Sequence, residues 1–356
     1  MSTPPRRRWY AAALLALLAL HAGAALAGRA LTDMAGRTVV VADPIGRTAA
    51  VGAGPVISSF VAALGAGATL VNGMPVGARL RQTDCCRFLP RVVPGILDLP
   101  SVESASFQLN RELLATLRPD VVLLHGETLA REIETTGLRP FVLHLTRDAG
   151  PGRGREANAV QVMTALGELY GRQARARDYA RHFAGVLDRV NARLADAGGR
   201  PRAIYFSHRG MALTSMTADW WIETAGGTSV TRNVPLQNSR AAISLEQLLA
   251  WNPEVIFAAT PEEAREIAED ARLAGVAAVR SGRIHAVPRS VIRWAHPSPE
   301  QAVGVLWAAA RLHPGRFADA EVAAELRHFY RSFYQIHLSD DEVEDIVRPS
   351  LRETAS

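Results

Sequence analysis

The chain has 356 residues, 48% apolar and 21% charged, enough apolar chain to bury a core and too ordinary a charge balance for bulk disorder. Its formal charge is +5, and taking away Arg6, Arg7 and Arg8 of the N-terminal segment leaves +2, with many arginines keeping the pI high. No dense basic run remains, which argues against a nucleic-acid partner.

In chain order, the first 27 residues read as a secretory signal peptide. "MSTPPRRRWY" is a basic start, "AAALLALLALHAGA" is apolar but short for a membrane span, and "ALA" ending at Ala27 suits cleavage. The three arginines also permit twin-arginine export. No cysteine follows the cleavage site to take a lipid, so the expectation is a free periplasmic protein.

Residues 31–54 alternate as β-rich segments, "PVISSFVAALGAG" reads as a short helix, and "ATLVNGM" as a further strand. Residues 79–104 have no clean period and read as an irregular loop segment. Strand, helix and strand then alternate through "DVVLL", "HGETLAREIETTGL" and "PFVLHLT", the pattern of a parallel α/β sheet. Residues 157–197 carry helical spacing with no proline, one long helix or two nearly continuous ones, with Gly167 and Gly171 as the weak points. At 1.5 Å per residue that is on the order of 60 Å. Alternation restarts at "RAIYFSH" and runs through "EVIFAA" and "RIHAVP". "SPEQAVGVLWAAARL" reads as a helix capped by Ser298 with Pro299 in its first turn, and Ser339 with Glu342 forms a capping box. The expected fold class is α/β, with two Rossmann-like lobes of mainly parallel sheet joined by a long helix. The divisions fall at 28–156, 157–198 and 199–356.

One unit is written twice. "NRELLATLRPDVVLL" (110–124) and "SLEQLLAWNPEVIFA" (244–258) share a glutamate, an apolar helical run, a proline seven residues later, an acidic residue and a strand. Two similar lobes would place this unit in the same position of each.

These pieces, with "LTDMAGRTVVV" (31–41), "GVAAVRSGRIHAVP" (275–288) and "PSPEQAVGVLWAAARLHPGRF" (297–317), run over nearly the whole chain after residue 27. In this order they resemble the substrate-binding proteins of bacterial ABC importers for ferric siderophores, haem and cobalamin. The C-terminal "FYRSFYQIHLSDDEVEDIV" is similar to the iron-chelate branch. The resemblance implies a monomeric binding protein, not an enzyme, with no intrinsic cofactor. Its partners would be an ABC permease dimer with its ATPase, and its cargo a metal chelate held between the lobes. It also implies that Glu112 and Glu246 project toward the membrane and meet permease arginines, where exposed charge would steer docking.

Ligands of open parallel sheets sit at the carboxyl ends of the strands. That rule selects His125 and Arg147 in the first lobe, and His208, Arg209, Arg289, Arg293 and Trp294 in the second. Cys85, Cys86 and Arg87 follow "LVNGM" and are added on the resemblance. Guanidinium groups fork onto anionic oxygens, tryptophan packs an organic shell, and histidine completes a metal sphere. A ferric chelate is the first ligand expected, then haem, then molybdate or tungstate, then cobalamin. The adjacent cysteines could form a vicinal bridge, stay thiols or bind a ligand. An exported chelatase or redox enzyme built on them is the competing class. "GAGP" (52–55) lacks the spacing of a phosphate loop, and no HEXXH or GXSXG motif is present.

Overall fold

The computed structural model describes residues 28–79, 86–148, 155–213, 217–235 and 240–349. The proposed signal segment lies outside these residues. In the first lobe β1 (Arg29–Thr32) and β2 (Thr38–Val41) form an antiparallel hairpin. β3 (Thr48–Val51), β4 (Val121–His125) and β5 (Pro140–Leu143) form a parallel sheet in that order. β6 (Thr146–Asp148) and β7 (Arg155–Ala157) make a second hairpin. In the second lobe β8 (Arg202–Phe206), β10 (Thr228–Ser229), β12 (Val255–Ala258) and β13 (Ile284–Ala286) form a parallel sheet ordered β10-β8-β12-β13. β9 (Ala212–Leu213) and β11 (Ala241–Ala242) pair antiparallel beside it.

Both central sheets are buried on two faces, and the period of two sorts their residues. Ala50, Val121, Leu123, Phe141 and Leu143 turn inward, as do Ala203, Tyr205, Val255 and Phe257 of the second sheet, and all join one continuous core. Ala49, Val51, Val122, Leu124 and Val142 face a separate outer cluster, and Ile204, Phe206, Ile256 and Ala258 face another. Among the helices, α1 is Gly54–Ala63, α2 Arg111–Thr116, α3 Glu127–Glu134, α4 Ala159–Leu169 and α5 Gln173–Leu194. Those of the second half are α6 (Ala218–Thr224), α7 (Leu245–Trp251), α8 (Pro261–Glu269), α9 (Gln301–Leu312), α10 (Asp319–Phe329) and α11 (Asp340–Val347).

Three expectations need correction. "ATLVNGM" is not a strand: a lone bridge pairs Thr48 with Leu70. The buried side chain of Asn72 takes over from the ladder, accepting from the amide of Ala50 at 2.8 Å and donating to its carbonyl at 2.9 Å. Of the two forms allowed for 157–197 the single rod of about 60 Å fails and the pair of helices holds, because α4 and α5 are separated by Tyr170, Gly171 and Arg172, with Gly171 at φ +64. In a straight helix residues 167 and 176 would lie about 13 Å apart. A Cβ at Gly167 would instead stand 2.7 Å from that of Ala176, so the two helices fold sharply together. α5 alone, 22 residues or about 33 Å, reaches from one lobe to the other. Arg175 near its start donates to Ala63 O, and Arg193 near its end pairs with Glu321. Finally, α9 starts at Gln301 with Glu300 as N-cap, so Ser298 lies ahead of the helix.

The C-terminal helix α11 makes a second crossing. Its capping box is formed as the sequence indicates. Its Glu342 and Asp345 pair with Arg91 and Arg87 of the first half. From the second half, Trp307 and Arg311 donate to the carbonyl of Val347 at its end.

Candidate functional site

The repeated unit occupies the same place in each lobe, a helix leading into a central strand. Asn110 caps α2 by accepting from Leu113 N, and Ser244 caps α7 by accepting from Gln247 N. Each helix closes on a left-handed residue, with Arg118 at φ +46 and Asn252 at φ +41. The shared acidic residue then secures the neighbouring strand. Asp120 accepts from the amides of Gly46 and Arg47, both at 2.8 Å, and Glu254 accepts from that of Arg202 at 2.9 Å. In return Arg47 donates to Leu117 O and Arg118 O, and Arg202 donates to Asn252 O. The frame uses every shared polar position of the unit except the glutamate.

Glu112 and Glu246 are both exposed, and neither has a basic partner among the described residues. The amide of Glu246 and the Ser244 hydroxyl hold its carboxyl below the ordinary range. Both sit at the carboxyl-end side of their sheets. Asn110 N donates to Val102 O, next to Glu103, whose Oε1 accepts from Gly52 N just past β3. Likewise Ile243, beside the α7 cap, donates to Met211 O just past β8.

At those carboxyl ends the candidates separate. His125 closes β4 half-buried, and its Nδ1 lies 3.0 Å from the carbonyl of Leu143. The amide of Leu145 reaches the same Nδ1 at 3.4 Å, so this nitrogen is tied to the backbone on both sides. Arg147 lies exposed on the β6–β7 hairpin, and β7 packs against α6 of the second lobe. His144, in the break between β5 and β6, lends its carbonyl to Asn158.

His208 and Arg209 stand in an acidic cage. His208 Nε2 is 3.0 Å from Asp270 and its amide donates to Glu263, while Arg209 forks onto Glu266. Arg272 and His208 together hold the Asp270 carboxyl far below its usual range. Trp294 is 4% exposed, edge-on to Trp307 and laid against Gly304, so the structure places it in the core. Arg293 is half-buried, and His296 beside it is pushed down to about 4 by burial and by that arginine. Arg289 acts on Glu262 of α8. Arg87 lies against Phe88 and Asp345. Cys86 is buried and disulfide-bonded, and Cys85 lies outside the described residues. A disulfide at Cys86 removes the free-thiol reading of that residue.

The lobes touch where Phe88 N donates to Ser290 O. Beneath this contact lies Glu300, fully buried, accepting from the Ser290 hydroxyl at 2.5 Å. Burial raises its carboxyl to about 7 against the donors around it. In the first lobe Glu103, 3% exposed and bonded to Gly52 N, is also raised by burial. The sequence reading missed both acids. Glu103 sits in a stretch without period, and Glu300 reads as a helix-start carboxylate until its surroundings are known.

The family model described as periplasmic binding protein matches residues 92–291, and the chain belongs to that family. A 102-residue stretch is 31% identical to the molybdate-binding protein MolA of Haemophilus influenzae, a match spanning 28% of this chain and 29% of that relative's length. A solute binding protein of an ABC transporter from Sulfurospirillum deleyianum superposes with a TM-score of 0.73 at 21% identity, covering 89% of this chain and 98% of that one. MolA bound to molybdate gives 0.71 at 20%, covering 87% and 99%. A periplasmic haem-binding protein from Pseudomonas aeruginosa gives 0.58 at 21%, covering 76% and 94%. At these identities the superpositions speak for the two-lobed fold.

Proposed function

We propose that this protein is the periplasmic binding component of an ABC importer. It takes an anionic metal species between its lobes and docks on a permease through Glu112 and Glu246. The observation that carries this is the pair of exposed glutamates. They occupy equivalent places in the two lobes, on the side where the strands end, and neither has a basic partner among the described residues. A helix-start carboxylate is favourable by itself, but that does not account for its recurrence at one site of each lobe.

For the cargo, His125 and the arginines Arg147, Arg289 and Arg293 suit anionic oxygen around a metal. A ferric chelate is the first reading. A molybdate-type oxyanion is the second, favoured by the 31% match to MolA. The family is one of binding proteins, and the enzyme alternative keeps no free thiol at Cys86.

The test is thermal unfolding with ferric chelates, haem, molybdate, tungstate and cobalamin. Ligand at 100 times its Kd adds about 2.7 kcal/mol. A shift confined to ferric chelates supports the first reading, and one confined to molybdate and tungstate the second. A screen with no shift rejects both.

A further inference from the structure

Away from the strand ends, three metal-ligating side chains meet where the interlobe helix crosses α10. His182 of α5 lies beside Glu325 and His328 of α10, and one ligand atom from each falls within 4.8 Å of the others. His182 Nε2 is 2.7 Å from Glu325 Oε1. The His182 and His328 rings stack with centroids 5.5 Å apart and planes 27° from parallel. From this geometry we infer a binding site for one divalent transition-metal ion of the zinc, cobalt or nickel type, held by His182, Glu325 and His328.

The sequence supplies the right spacing. Glu325 and His328 form a Glu-x-x-His step, which puts carboxylate and imidazole on one face of α10, and His182 arrives from the facing helix. Two imidazoles and one carboxylate, with a fourth position for water, suit a tetrahedral ion. Metal–ligand bonds of about 2.0–2.2 Å set tetrahedral ligand atoms about 3.4 Å apart. The His182–Glu325 contact, at 2.7 Å, opens by less than about 1 Å to reach that spacing, and the widest pair, within 4.8 Å, closes by at most about 1.4 Å.

A bland reading exists, an ion-pair network in which Arg189 and His182 share Glu325. It explains two of the three residues. Arg189 is bonded to Oε2, so Oε1 remains the oxygen turned to the histidines. His328 adds nothing to that network beyond a stacked ring, yet it places a second imidazole at the same carboxylate. His182 is 9% exposed, its flanks are Phe329 and Phe333, and its Nδ1 has no hydrogen-bond partner among the described residues. A buried, apolar-walled ligand beside an exposed one gives an ion both an entry path and a dry side.

The test uses purified protein stripped with EDTA and titrated with zinc chloride against a chromophoric chelator, and separately with cobalt chloride followed in the visible. The expected result is one ion per chain with a cobalt d–d band. His328→Ala, an exposed position that leaves folding intact, weakens zinc at least tenfold and removes the band. Glu325→Gln does the same, while His337→Ala, at an exposed histidine outside the three ligands, leaves both unchanged. Absence of zinc binding in the parent, equal binding by parent and His328→Ala, or loss in His337→Ala instead would each overturn the inference.

Discussion

Asp120 in the first lobe and Glu254 in the second do one job with different reach. The aspartate closes two strand-start amides and the glutamate one, while the arginine facing each returns bonds to the helix end. The strands leave their sheets on different terms. His125 ends β4 held by a backbone carbonyl, whereas His208 follows β8 clasped by three carboxyl groups. Entry to the sheet is a structural problem with one solution used twice. The exits are where the lobes diverge.

The largest expected effect breaks the symmetry at its exposed point. Charge reversal of both Glu112 and Glu246 should abolish uptake in cells while isothermal titration shows ligand affinity unchanged. Lost affinity with intact uptake would remove the docking role.

Next comes pH. The folded chain holds the Glu300 proton to about 7 against an ordinary carboxyl near 4.5, so that contribution is full below 4.5 and is lost as pH rises through 7, roughly 3 kcal/mol in all. His285 and His296, pushed down to about 4 mainly by burial, act oppositely and restore stability as pH rises from 4 toward 6.5. The urea midpoint should therefore peak near pH 6.5 and fall above it, and Glu300→Gln should flatten that fall. Glu103→Gln should change the profile in the same direction.

Removing the strand clamps sharpens the comparison. Asp120→Ala should cost about 2 kcal/mol and Glu254→Ala about 1, in the ratio of amides left open, read from denaturant unfolding. Equal costs would mean that the arginine bonds, not the amides, carry the frame. The smallest effects come from the histidines. His125→Ala should weaken ligand binding about tenfold with Tm unchanged. His208→Ala should lower stability by about 1 kcal/mol with affinity retained.

Much of this frame was legible beforehand. Val121–Leu124 and Val255–Ala258 are continuous apolar runs behind a proline and an acid, and such runs form buried parallel strands wherever helices cover both faces. What the sequence could not convey was substitution at a distance. Asn72 standing in for a strand and the cage around His208 depend on partners tens of residues away. Trp294 illustrates the same limit at the site, since arginine and histidine neighbours imply a polar mouth and the ring is packed on Trp307.

The second crossing made by α11 has a mechanical consequence. A body on a single shaft swings as far as the shaft bends, but here a strap runs from Arg87 and Arg91 to the far lobe through the last helix. The travel of the two halves is then set by the slack of that strap. An affinity tag placed at the C-terminus, or a truncation before Asp340, would retune the opening of the molecule without touching its cleft.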